Sequence, residues 1–402
     1  LSRTTPGVIV ALSVTIAALS TVAGVVSAAQ LDERIAHQQN LLDRSEPVTF
    51  AAQNLYAELS AADAAAAAAF LSGGIQTPSM RMRYEQALAG AASALADATA
   101  GATDTETRTA VAGLTEQMTT YAGLVEAARA NNVQIFPIGS AYLREASSLM
   151  QMQILPAAER IYANDLKAVE KDQSAVESTP VAGLILLGLS LAAICVGTVV
   201  MAVRTNRQFN IGLVVAAVLT LAAIMWLVAA TRMAAADVER GRTEGTERFG
   251  QLATARILAS KARTDDILEL IVHGDPTAIE KDFHNNTDEL ATILTAGPPA
   301  AKEGLRKWIE SHDKQVEAYR GGDYSRAVAQ AIGPDADASA AQYATVEASL
   351  RVELDRARAT LRDRAAAAGT ALSWAPTGVL ALMVIAAATA VAGMWPRLKE
   401  FL

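Results

Sequence analysis

The chain has 402 residues, 51% of them hydrophobic and 19% charged, and a formal net charge of −8. That acidic balance, with no Lys/Arg block and no basic–aromatic interleaving, argues against nucleic-acid binding. The single cysteine, Cys195, excludes an intramolecular disulfide, and the four histidines (His37, His273, His284, His312) show no metal-ligand spacing with cysteine or carboxylate.

The chain opens on Leu1, so an end is expected to be trimmed. The first apolar run, residues 6–29, is uncharged and reaches the ~20 residues needed to cross a bilayer as a helix. It is too long for a signal-peptide core. Its basic flank, Arg3, puts the N-terminus inside. Ser20, Gly24 and Ala28 recur every fourth residue, a small-residue stripe of the kind that lets membrane helices approach.

Residues 30–179 carry almost no strand signal. Leu31, Ile35, Leu42, Leu55 and Leu59 mark an apolar stripe at helical spacing, so one long helix is predicted to run on from the span to Leu71. Pro47 is expected to disturb its hydrogen bonding. Ala61–Ala69, interrupted only by Asp63, has high helix propensity, and Gly73-Gly74 ends the helix. A second helix starts at Thr77-Pro78 and runs to about Ala100, and a third runs from Thr105 to about Ala130, stopped by Asn131-Asn132. The last begins near Pro137 and continues past Pro156. At 1.5 Å per residue the outer two helices span about 65 Å and the middle two about 35–40 Å. These lengths predict a four-helix head on a two-helix stalk.

Residues 180–203 and 211–230 form two more uncharged spans. The link between them, residues 204–210, carries Arg204 and Arg207 and is read as cytoplasmic. Residues 231–373 repeat the helical plan, with turns at Gly274-Asp275-Pro276, Gly297-Pro298-Pro299 and Gly321-Gly322-Asp323 and a loop at Gly333–Asp337. The final span is 374–395, and the tail 396–402 supplies Arg397 and Lys399. Ala52–Gly74 parallels Ala253–Asp275, and Val125–Arg129 parallels Val316–Arg320. A period of roughly 200 residues therefore points to duplication of a span–bundle–span unit.

The chain is thus expected to be an all-α membrane protein: four transmembrane helices with two tandem extracytoplasmic four-helix-bundle domains on helical stalks. Both termini are placed in the cytoplasm. No catalytic constellation and no cofactor motif is present, so no enzyme is expected. Asp265, Asp266 and Glu269 are expected on a solvated helix face, and His273 and His284 at the surface. The spans lack ionisable residues, which argues against a transporter. Candidate partner-binding residues at the outer tips are Gly73, Gly74, Asn131, Asn132, Tyr142, Arg144, Gly274 and Asp275, with Arg81 and Arg83 nearby. The candidate cytoplasmic output is Arg204, Asn206, Arg207, Arg397 and Lys399.

The stretches Glu46–Tyr56 (EPVTFAAQNLY), Phe70–Gly74 (FLSGG) and Ala141–Met150 (AYLREASSLM) resemble the actinobacterial GlnX membrane proteins. Each bundle also resembles the four-helix sensory domain of bacterial chemoreceptors, though no HAMP unit or signalling coiled coil follows. The GlnX resemblance implies a transmembrane signal transducer at the cell membrane. Its partners would be an extracytoplasmic amino-acid-binding lipoprotein (GlnH-like, for aspartate or glutamate) and a cytoplasmic Ser/Thr kinase (protein kinase G-like). Two other readings stay open: direct binding of a small ligand in one bundle, and a non-signalling envelope scaffold. Monomer and homodimer both remain open.

Overall fold

The computed structural model describes residues 5–72, 78–101, 105–133, 138–205, 210–271 and 277–399. Every regular element among them is helical. The first copy comprises α1 (Thr5–Asn40), a π segment (Leu41–Ser45), α2 (Glu46–Leu71), α3 (Pro78–Gly101), α4 (Thr105–Val133), α5 (Ile138–Leu149), a second π segment (Met150–Ile154), α6 (Leu155–Glu177) and α7 (Val181–Thr205). The second comprises α8 (Ile211–Arg240), a π segment (Gly241–Thr246), α9 (Glu247–Ile271), α10 (Thr277–Leu294), α11 (Pro299–Arg320), α12 (Tyr324–Ile332), α13 (Ser339–Leu372) and α14 (Ala375–Lys399). Both copies place a π segment before the bundle's first helix, while among the described residues the π segment Met150–Ile154 has no counterpart in the second copy and α12 none in the first.

The chain divides into two compact units. One contains residues 1–42, 170–242 and 362–402. In it α1 packs on α7 and α14, and α8 packs on the same two helices. Ile16, Ala23, Leu187, Ile194, Ala216, Ala223, Val379 and Met383 are buried, while Val14, Val203, Ile211 and Met225 point outward and are more than half exposed. Helices apolar on both faces are matched to a lipid solvent. Trp374 and Trp395 are exposed at the two ends of the last apolar run, 21 positions apart, or about 32 Å of helix, the spacing of the two bilayer interfaces. The protein is an all-α membrane protein, with four helices among the described residues long and apolar enough to cross a membrane.

The small-residue stripe lies at helix contacts. Ser20 Oγ is 2.8 Å from Ser190 Oγ of α7, and Gly24 faces Met383 of α14. The closest approach is between Gly212 and Gly393, where a Cβ on Gly212 would lie 2.5 Å from Gly393 Cα. Asn210 fixes this corner. Its Oδ1 accepts from Gly212 N at 3.0 Å, capping α8, and its Nδ2 donates to Gly393 O at 2.8 Å.

Helix continuity differs from expectation. α1 and α8 run without a break through residues 29/30 and 230/231. The returning helices do not. α6 stops at Glu177 and α7 starts at Val181, because Pro180 has no N–H to continue the ladder. The return from the second bundle breaks as well. α13 ends at Leu372, a turn covers Ser373-Trp374, and α14 begins with Pro376 in its first turn. Arg34 ties the break at Ser178 back to α1, donating through Nε (3.2 Å) and Nη2 (2.7 Å) to Ser178 O.

The other unit contains residues 43–169 and 243–361. Within it α2, α3, α4 and α5–α6 form one bundle, and α9, α10, α11 and α13 the other. One apolar core runs through both, from Leu55, Leu59 and Leu114 to Leu252, Phe283 and Trp308. α2 packs on α9, with the Phe50 and Phe249 rings 6.3 Å apart. The disturbance expected at Pro47 takes the form of the π segment immediately before it. Three boundaries move. α4 continues through Asn131 and Asn132 to Val133, and α7 through Arg204 to Thr205. α14 continues past Pro396 to Lys399, so the predicted tail is mostly helical. α12 falls on a stretch the sequence left unassigned; Asp323 starts it, accepting from Arg326 N at 3.1 Å.

Candidate sensory site

Each bundle buries an aspartate deep on its long first helix and surrounds it with the following helices. In the first bundle this is Asp63, alone among alanines because the alanines let α2 pack closely. It accepts from Tyr121 Oη (3.2 Å), Ser147 Oγ (2.9 Å) and Gln151 Nε2 (2.9 Å). Burial pushes its carboxyl above the usual range, and the three neutral donors offset only part of that.

The second bundle is ionic. Asp266, fully buried on α9, accepts from His312 Nδ1 (2.9 Å) on Oδ1 and from Arg263 Nη1 (2.6 Å) and Trp308 Nε1 (3.2 Å) on Oδ2. Gln315 Nε2 donates to its backbone carbonyl at 2.7 Å. Burial works against the charge on Asp266, but His312 and Arg263 outweigh it and hold the carboxyl below its ordinary range. Burial likewise opposes protonation of His312, and Asp266, then Glu269, reverse this and raise the imidazole. Phe283 stacks on His312 at 3.7 Å between ring centroids. Glu269 is buried with neither oxygen hydrogen-bonded, its Oε2 3.8 Å from His312 Nε2.

The expectation that Asp265, Asp266 and Glu269 lie on a solvated face is therefore overturned for Asp266 and Glu269, and Asp265 is half-buried against Asn286. α9 presents these positions inward because Arg263, His312 and Trp308 supply partners there. His284 is half-buried beside Phe283, and His273 lies outside the described residues. His312, which sequence reasoning left without a role, is the centre of the network.

The two bundles are joined by Arg256 of α9. Its Nη1 donates to Gln53 Oε1 (3.1 Å) and Asn54 Oδ1 (3.3 Å) of α2, and its Nε to Glu347 Oε1 (2.6 Å) of α13. Nearby, the Arg358 guanidinium lies 3.8 Å from the Phe50 ring centre and pairs with Glu46.

Of the predicted tip residues, Asn132 donates from Nδ2 to Phe70 O (3.0 Å), tying α4 to the end of α2, and Asn131 bonds Ala127 O of its own helix. Tyr142 is half-buried against the core and Arg144 is exposed. Gly73, Gly74, Gly274 and Asp275 lie outside the described residues. Arg81 pairs with Glu85 and Arg129 with Glu126, beside a cavity of about 30 Å³ that also touches Tyr84 and Asn132. That volume holds about one water molecule. Arg204 lies in the last turn of α7, and Arg397 and Lys399 in the last turn of α14. Asn206 and Arg207 lie outside the described residues.

Residues 37–174 match the family described as actinobacterial sensor domain. The match spans the first bundle with the adjoining ends of α1 and α6, about a third of the chain. It supports a sensory, signalling role in an actinobacterial membrane protein. No curated protein and no solved structure matches the chain.

Proposed function

We propose that the chain is a non-enzymatic transmembrane signal transducer that reports extracytoplasmic amino-acid availability to a cytoplasmic Ser/Thr kinase. In this reading the bundles lie outside, both termini lie inside, and a binding lipoprotein loaded with aspartate or glutamate docks on the bundles. The helix ends bearing Arg204, Arg397 and Lys399, with Asn206 and Arg207 between spans, make the cytoplasmic output. The observation that carries it is the match of residues 37–174 to a sensor domain whose leading helix, α1, runs without interruption out of an apolar span. A continuous helix transmits shifts of about 1–2 Å, the scale on which such switches work. The resemblance to GlnX membrane proteins supplies the identity of the partners.

The test uses the full chain in nanodiscs as bait for the lipoprotein, with and without aspartate or glutamate, alongside kinase-substrate phosphorylation in cells carrying or lacking the chain. Amino-acid-dependent capture and altered phosphorylation are expected. Unchanged phosphorylation in cells lacking the chain would refute the relay and leave a scaffold role.

A further inference from the structure

Where α2 and α3 of the first bundle meet α13 of the second, an open groove of about 600 Å³ runs over the unit. That is within the range of small-molecule sites. Its charged lining comes from both copies, Asp43, Arg44, Glu58 and Asp97 from the first and Arg351 and Arg358 from the second, and Arg351 acts electrostatically on Glu58. Glu58, on α2, is half-buried; Arg351, on α13, is exposed. Among the described residues neither makes a hydrogen bond or an ion pair. Glu58 lies flat against α3 because residue 90 is glycine: a Cβ there would sit 2.9 Å from Glu58 Cδ. Asn54 and Ser93 add neutral polar groups to the wall.

A half-buried carboxylate without a hydrogen bond is costly. Burial accordingly holds the Glu58 carboxyl above its ordinary range, in spite of Arg256 and Arg351. An ammonium group placed on Glu58 removes that cost, and a carboxylate on the same small molecule meets the Arg351 guanidinium in the fork geometry such pairs adopt. Neither a simple anion nor a simple amine satisfies both. We propose that this groove binds a small zwitterion of the α-amino-acid class, its ammonium on Glu58 and its carboxylate on Arg351. The site rests on the sensory reading and adds direct ligand contact to it. The occupant bridges the two copies next to the Arg256 joint, so its binding strengthens their association.

The test is calorimetric titration of the full chain in nanodiscs with aspartate, glutamate and glutamine, and with succinate and putrescine, which lack one of the two charges. Saturable binding of at least one amino acid is expected, with no binding of succinate or putrescine. Glu58→Gln and Arg351→Gln are each expected to weaken it by about tenfold or more; both sit on a groove wall outside the cores, and thermal midpoints report folding. Gly90→Ala, which displaces Glu58, is expected to weaken it too. Absence of amino-acid binding, or binding indifferent to Glu58→Gln and Arg351→Gln, overturns the proposal. Lipoprotein capture is read separately. Capture without direct binding sinks the groove alone; direct binding without capture sinks the lipoprotein reading alone.

Discussion

Asp265 offers a quantitative test of the second bundle. Its carboxyl is half-buried beside Asp266 and Asp282 and takes one hydrogen bond, from Asn286 Nδ2 at 2.9 Å. Burial, more than its acidic neighbours, raises it from 3.8 to about 7. Between those values the folded protein binds a proton that the unfolded chain has lost, so stability falls as pH rises through this window. The separation corresponds to on the order of 2–4 kcal/mol by pH 8, after discounting for partial exposure. Asp265→Asn keeps the shape and the oxygen facing Asn286 but cannot ionise. Thermal unfolding of the full chain in nanodiscs at pH 5 and pH 8 reads the difference. The variant's advantage over the parent is expected to be small at pH 5, about a third of the way through the window, and to reach its full size at pH 8, at about 2–4 °C per kcal/mol. Equal midpoints at pH 8, or a loss at both pH values, would refute the argument that Asp265 is strained by burial.

His312→Gln leaves Asp266 buried without its imidazolium and is expected to cost about 3–5 kcal/mol. Because the folded imidazole is raised, the loss should be largest below the ordinary histidine value and shrink as pH climbs past the folded one, which a midpoint series from pH 5 to 9 checks. Asp63→Ala strands Tyr121, Ser147 and Gln151 and should cost about 1–3 kcal/mol, seen as a lower midpoint. Arg256→Met removes the guanidinium shared by Gln53, Asn54 and Glu347. It should raise hydrogen exchange along α2 and α9 together, whereas exchange confined to α9 would show the bundles are not coupled there. Gly212→Ala drives a Cβ into Gly393 and should destabilise the span corner by about 1–3 kcal/mol.

The four spans and the long helices were legible because they rest on local properties: uncharged apolar runs, apolar periodicity, and Gly and Pro punctuation. The effect of Pro47 and the stripe Ser20-Gly24-Ala28 were readable for the same reason. What was missed depends on distant pairing. Asp266 and His312 stand 46 positions apart, and nothing in either helix alone distinguishes a buried charge from a solvated one. Arg256 meets Gln53 across a whole copy of the repeat. Asp63 was the exception with a local signal, a lone carboxylate on the buried side of an alanine run. α12 was missed because it has only 9 residues between Gly321-Gly322 and Gly333–Asp337, too few to show a helical period. The break at Ser373-Trp374 was missed although Pro376 foretold it.

The shared core has a consequence for biogenesis. Residues 43–169 leave the ribosome well before 243–361, and at about 5–20 residues per second the lag is roughly ten to forty seconds. Throughout that interval the face of α2 that carries Phe50, Gln53 and Asn54 has no partner. The newborn first half is then a sticky intermediate, and a strand of synthesis halted between the copies leaves it so for good. Duplication within one polypeptide sets the local concentration of the second bundle high at the moment the first needs it, which a homodimer of half-length chains does not.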